Sequence, residues 1–301
     1  MRTFNGKNEK KYEKGDKFSL FLLSLYHTKY KKVMISNQVS REIPTAIKYY
    51  AFDWDDNLMY MPTFIRLKDD KGNVVGMTTK DFAKYRDIVG KEPFNYKGHT
   101  IVSTTKDGYV EFGVTYDDQF LIDSMNSPVG PAWSDFVEAI NNGSIFSIIT
   151  ARGHTPSVLK ESVYRLIKSN KHGIDSNKLV KNLLRYRDLA DEENLSKDKL
   201  IRSYLDLCRF HPVSFGVGSE ANPEKGKIQA MEEFIRYVKQ TSHNLQRKAF
   251  MKNKISNYFT PFIGFSDDDE KNVESMKIHF KDKEEDILQT YLTSEGIKRK
   301  Y

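Results

Sequence analysis

Three apolar runs in this chain end in chemically distinctive polar residues. The first closes as Ala51-Phe52-Asp53-Trp54-Asp55-Asp56-Asn57-Leu58, and the second runs from Ser144 to Ile149 into Thr150-Ala151-Arg152-Gly153. The third, Tyr258 to Phe265, runs into Ser266-Asp267-Asp268-Asp269, with Asn272 just beyond. Short apolar runs bounded by turn residues predict strands buried on both faces, as in parallel sheets. Open α/β sheets gather ligands at the carboxyl ends of such strands, where these polar residues fall. A helical period follows Asn222-Pro223-Glu224-Lys225-Gly226-Lys227, with apolar positions at Ile228, Met231, Phe234, Ile235 and Val238. Trp133 to Ile140 predicts another helix, and one more starts near Thr155-Pro156-Ser157, where Thr155 and Ser157 are the natural caps.

The stretches between these elements have their own patterns. Thr63 to Leu67 and Val74 to Met77 flank Asp69-Asp70-Lys71-Gly72-Asn73, a hairpin signal. A short helix is expected from Thr79 through Phe82 and Tyr85, with further strands at His99 to Ser103 and Tyr109 to Thr115. Residues 59–131 therefore read as a β-rich insertion. Residues 169–210 read as a charged helical insertion, with one stripe at Leu179, Leu183, Leu184 and Leu189 and another from Leu200 to Cys208. Pro212 to Gly218 is expected to lead back to the sheet. The fold class is α/β.

Asp53 and Asp55 are the sharpest candidates for chemistry. Residues i and i+2 of a strand share a face, so a persisting strand would present both carboxylates to one substrate. Two anions this close repel unless a cation neutralises them, and a hard, oxygen-loving ion such as Mg2+ suits carboxylates. An Asp-rich turn after a strand gives the same pattern without function.

Taken together and in order, the carboxylate pair, the hydroxyl, the lysine and the acidic cluster resemble the haloacid dehalogenase (HAD) superfamily of phosphohydrolases. Asp53-Trp54-Asp55-Asp56-Asn57 matches its DxDx[TV] motif except at Asn57, where Thr or Val is usual; Thr150 in Ile149-Thr150-Ala151-Arg152 matches the second motif. Lys225 in Glu224-Lys225-Gly226-Lys227 fits the third motif best, with Lys227 as its competitor, and Ser266-Asp267-Asp268 matches the fourth. The resemblance implies a Rossmann-like core with a mostly parallel sheet, formed by residues 46–58 and 132–290, and a cap formed by residues 59–131. It also implies a Mg2+-dependent phosphomonoesterase. Asp53 would be the nucleophile that carries an aspartyl-phosphate, and Asp55 the acid and base. Thr150 and Lys225 would hold the phosphate. Mg2+ would be held by Asp53, the backbone carbonyl of Asp55, and Asp267 or Asp268, the other of which would orient the lysine. A phosphorylated small molecule, nucleotide or nucleic-acid phosphate end is the expected substrate.

Composition and charge add partners and compartment. Residues 1–32 hold nine Lys or Arg against three acids among Tyr12, Phe18, Phe21, Tyr26 and Tyr30, in a chain of net charge +7. This arm within residues 1–45 can contact nucleic acid through phosphates and stacking, or serve as a solubilising extension. The alternative function is accordingly a non-catalytic HAD-fold binding or structural protein, for nucleic acid or virion assembly, that uses the arm. Residues 291–301 read as a basic tail containing Lys298-Arg299-Lys300. The single cysteine, Cys208, sits in an apolar series and excludes an internal disulfide framework. The seven histidines have no zinc-site spacing, and His154 is either a substrate contact or a loop residue. No apolar run is long enough to span a bilayer, and the charges around Phe18 to Tyr26 argue against a signal peptide. The expected compartment is cytoplasmic, or the host cytoplasm for a virus or phage, whose A+T-rich genome would suit the richness in Lys, Asn, Ile and Tyr.

Overall fold

A computed structural model describes residues 46–184, 196–216, 222–251, 258–284, 286–293 and 296–301. The basic arm of residues 1–45, and Leu189 of the first helical stripe, lie outside the described residues.

Six strands form the central sheet: β1 (Ala46–Phe52), β6 (Phe146–Thr150), β7 (Arg209–Pro212), β8 (Thr260–Asp267), β9 (Leu288–Leu292) and β10 (Arg299–Lys300). Their order is β10-β9-β8-β1-β6-β7, and all neighbours are parallel except β10, which runs antiparallel to β9. The chain leaves β1 for β6 and β7 on one side, then crosses to β8 and β9 on the other. This reversal makes the carboxyl ends of β1 and β8 a topological switch point, the place where open α/β sheets bind ligands. Phe52 pairs with Ser266 on one side and Ile148 on the other, so the next residues, Asp53 and Asp267, emerge level with each other.

Helices cover both faces of this sheet. On one face, Phe52, Phe146 and Ile148 pack beneath residues of α3 (Trp133–Asn142), α4 (Pro156–Lys168), α5 (Ser176–Leu184) and α6 (Lys197–Leu207). On the other, Tyr49, Ala51, Ile149, Ile263 and Phe265 meet α7 (Pro223–Met251) and α8 (Glu270–Phe280). Burial on both sides explains why the strands read as unbroken apolar runs. Thr155 caps α4 through the Val158 amide, with Pro156 at the first helical position. Cys208 is buried, and burial pushes its thiol up to about 12.

The insertion contains a second sheet of antiparallel strands β2 (Phe64–Asp69), β3 (Val74–Thr78), β4 (Phe94–Tyr96) and β5 (His99–Thr104), ordered β3-β2-β5-β4. Its buried face, Ile65, Leu67, Met77, Tyr96 and Ile101, packs against Phe82 and Tyr85 of helix α1 (Thr79–Tyr85). The β2–β3 hairpin turns where expected. Asp69 accepts from the Lys71 and Asn73 amides, and Gly72 supplies the positive φ of 82°.

Four expectations need correction. Tyr109 to Thr115 is not a strand but two 3-10 turns, Val110–Phe112 and Val114–Tyr116. Its polar groups are satisfied without a ladder, since Glu111 takes the Phe64 amide and the Arg66 guanidinium, and the Phe112 carbonyl takes the Gly153 amide. The insertion does not stay apart from the core up to residue 131: helix α2 (Asp117–Asn126) packs on α4, with Phe120 in the core cluster and Ser162 Oγ 2.8 Å from Ser124 Oγ. Residues 291–301 are no free tail, because β9 and β10 extend the sheet and Lys298 reaches Asp135. The chain rejoins the sheet earlier than the expected Pro212 to Gly218, at Arg209–Pro212, beside β6.

Candidate active site

Strand β1 stops at Phe52, and a tight turn then aims the carboxylates. The Asp53 amide still reaches the Ser266 carbonyl at 2.9 Å, the last rung toward β8. Beyond it, the Leu58 and Met59 amides return to the Trp54 carbonyl, and Asp56 takes a left-handed φ of 53°. The turn, and not strand alternation as expected, therefore directs Asp55. Asn57 locks this turn from beneath. Its Nδ2 donates to the Asp53 carbonyl (2.9 Å), the Ser266 carbonyl (3.1 Å) and Ser266 Oγ (3.2 Å), while its Oδ1 accepts from Thr293 (2.8 Å). A primary amide carries two donor hydrogens as well as an acceptor oxygen, so Asn makes bonds here that the single O–H of Thr cannot all replace and that Val cannot make at all. Gly130 permits the close approach: a Cβ there would meet the Asn57 carbonyl oxygen at 2.4 Å.

Lys227 is the cation at the Asp53 side. Its Nζ lies 2.8 Å from Asp53 Oδ1 and 2.6 Å from Asp267 Oδ2, in a setting where the lysine is 2% exposed. The expectation of Lys225 is corrected. Lys225 is exposed, and its amide donates to the Asn222 side-chain oxygen at the helix start. Residues two apart on a helix point roughly 200° apart, so only one of the pair can face the sheet. Between them, Gly226 lets the helix start abut the end of β7, since a Cβ there would meet Val213 Cβ at 2.8 Å.

Asp267 is held by Lys227, by Asn272 Nδ2 (3.1 and 3.3 Å to its two oxygens) and by the Asp269 amide (3.0 Å). Asp269 caps α8 through the Lys271 amide. Carboxylate oxygens of Asp53, Asp267 and Asp268 all lie within 4.8 Å of one another. Three carboxyl groups thus share one ammonium. Burial, with Asp267 and Asp55 nearby and only Lys227 opposing, pushes Asp53 well above the usual carboxylate range. Burial, Asp267 and Asp53 do the same to Asp268. Burial alone would depress Lys227, but Asp267 and Asp53 outweigh it and hold it charged. An oxygen-only, over-acidic cluster of this kind can hold a hard divalent cation.

The other carboxylate has a separate partner. Asp55 is outside the three-acid cluster. Its oxygens take Arg152 Nε (2.8 Å) and Nη2 (2.6 Å) in a bidentate pair, and its carbonyl takes the Asn57 amide (2.6 Å). Arg152 is fully buried and also donates to Thr63 Oγ1 (2.9 Å) and meets His154 Nε2 (3.2 Å). Because a guanidinium only donates, His154 Nε2 must accept, which leaves Nδ1–H to donate to Asp117 (2.8 Å). Burial and Arg152 lower the His154 pKa, against the pull of Asp117. His154 lies in the loop between β6 and α4, where it is fully buried and stacked on Phe120.

Thr150 sits, buried, at the carboxyl end of β6 beside β1, with its Oγ1 3.4 Å from the Arg152 amide. Sequence reasoning assigned no role to Arg152; the available cue was a lone guanidinium among small residues directly after a buried strand. Asn57 and Asn272 were visible, but the Asn57 bond to Ser266 spans 209 positions, which only the fold brings together, whereas the Asn272 bond to Asp267 spans five. Comparison of this chain with protein-family models, curated proteins and solved structures finds no match.

Proposed function

We propose that this protein is a Mg2+-dependent phosphomonoesterase of the HAD type that acts through an aspartyl-phosphate on Asp53. The observation that carries the reading is the division of labour at the end of β1: Asp53 shares Lys227 with Asp267 beside Asp268, while Asp55, two residues on, is held away by Arg152. Two carboxylates with different surroundings suit two different roles.

In this reading an Asp53 oxygen attacks phosphorus, the bond from phosphorus to the leaving oxygen breaks, and Asp55 gives that oxygen its proton. Asp55 then takes a proton from water, the water oxygen attacks phosphorus, and the bond to Asp53 breaks to restore the carboxylate. Lys227 and the Thr150 hydroxyl hold non-bridging oxygens, where charge is spread during transfer. Asp267 keeps Lys227 in place and is itself held by Asn272. Asp53, Asp268 and the Asp55 carbonyl would hold the Mg2+, with Asp267 alongside. When bound, the ion supplies the positive charge that lets an anionic ester approach an anionic nucleophile.

The test is phosphate release from a panel of aryl, sugar and nucleotide monoesters with Mg2+, comparing wild type with Asp53→Asn. Wild type is expected to turn over at least one ester and to give an acid-stable 32P label that Asp53→Asn lacks. Equal release by both proteins across the panel refutes the reading.

A further inference from the structure

Arg152 contacts neither Asp53 nor Lys227 among its hydrogen bonds, yet it is among the largest fully buried side chains of the protein. Burying a guanidinium is costly unless its donors are matched. Here four of the five are, with two hydrogen bonds to Asp55, one to Thr63 and one to His154. The rings of Phe112 and Phe120 lie 4.9 and 5.0 Å from its Cζ. Arg152 itself comes from the loop after β6, but Thr63, Phe112, Phe120 and Asp117 all come from the stretch between β1 and α3. The fork is thus fixed in plane by aromatic faces and in direction by groups on three sides.

We infer that Arg152 is the positioning residue for Asp55, fixing the direction of the carboxylate that moves protons, and that residues 63–120 of the insertion set that direction through Arg152. The inference rests on the phosphatase reading. The planar bidentate pair fixes both the place and the plane of Asp55, which a lysine, with a single point of charge, cannot do. His154 transmits the constraint: Asp117 holds its ring, and the ring holds the third guanidinium nitrogen. No proton need pass along this chain.

The test exploits the leaving group. A misdirected acid harms esters whose leaving oxygen needs a proton far more than those whose leaving group departs as a stable anion. We would measure kcat/KM, which reports phosphoenzyme formation, for p-nitrophenyl, phenyl and ethyl phosphate with wild type, Arg152→Lys and Thr63→Val. Arg152→Lys is expected to lose about 10- to 100-fold on ethyl phosphate and much less on p-nitrophenyl phosphate. Thr63→Val, which removes one bond to Arg152 at constant shape, should show the same bias in smaller measure and keeps the test open if Arg152→Lys does not fold. In an Asp55→Asn background, Arg152→Lys should add no further loss, since the two act as one unit. A loss independent of the leaving group, no loss in either variant, or full additivity with Asp55→Asn overturns the role given to Arg152. A wild-type chain inactive on all three esters and on the wider panel removes the phosphatase reading itself.

Discussion

Asp53 and Asp55 stand two residues apart, yet the parts of the molecule that hold them have different origins. The Asp53 side is assembled from the central sheet and its helices: β8 supplies Asp267, the residue after it supplies Asp268, α7 supplies Lys227 and α8 supplies Asn272. The Asp55 side is assembled across a boundary, with Arg152 from a core loop and Thr63 and Asp117 from the insertion. The insertion is also pinned over the core, where Arg86 pairs with Glu224 (2.6 Å) and Asp269 (2.9 Å), and Thr79 bonds Asp56. In the proposed reaction the nucleophile is thereby built into the central sheet, whereas the proton-transfer group depends on how the insertion is seated.

The sharpest break in this comparison is Lys227→Met. Removing the ammonium should cut phosphate release by about 10²- to 10³-fold, the range for loss of one donor to a developing oxyanion. Stability should fall by about 3–5 kcal/mol because buried carboxylates lose their partner. Lys225→Met should change neither quantity. Parallel urea melts and turnover assays decide it; equal damage from the two variants would defeat the assignment of Lys227.

A smaller effect is expected where the Asp53 side is stapled. Asn57→Ala leaves Thr293 and the Ser266 hydroxyl without their Asn57 bonds and should lower the unfolding free energy by about 1–3 kcal/mol, read from the urea midpoint. An unchanged midpoint would show that β1 and β8 are joined at this end without it.

The smallest effect separates the regions by pH. In the insertion, the Asn73 side chain, then His99 and the Asn73 and Lys71 amides, hold Asp69 down to about 2 despite burial. A depressed carboxylate stabilises the fold above its unfolded pKa, and this contribution fades as pH falls from about 4 toward 2. Asp53 and Asp268 are shifted upward, so without a divalent cation their contribution is full at low pH and fades as pH rises through their folded values. After correction for intrinsic exchange, amides of β2 and β3 should lose hydrogen-exchange protection between pH 4 and 2 before those of β1 do. Asp69→Asn should remove most of that gap. Simultaneous loss in both regions would show that the hairpin carboxylate is not what distinguishes them.

Much of this could be read in the sequence, because buried parallel strands leave a local signature. The ends of β1, β6 and β8 were visible as apolar runs meeting Asp53, Thr150 and Asp267, and the hairpin was visible in Asp69 to Asn73. The lysine was not, since Lys225 and Lys227 both stand at the start of the same helix, and only the seating of that helix on the sheet turns Lys227 inward. The segment 109–115 alternated like a strand but found its hydrogen bonds in Glu111 and the core loop.

The sequence by itself determined which strands are buried, where they end and which acids stand at those ends, since each follows from short-range hydrophobic pattern and turn chemistry. Tertiary structure alone decided which cation serves which carboxylate. Lys227 meets Asp53 across 174 positions, and Arg152 meets Asp55 across 97. Pairing of buried charges is set by three-dimensional proximity and desolvation, neither of which leaves a trace in local order.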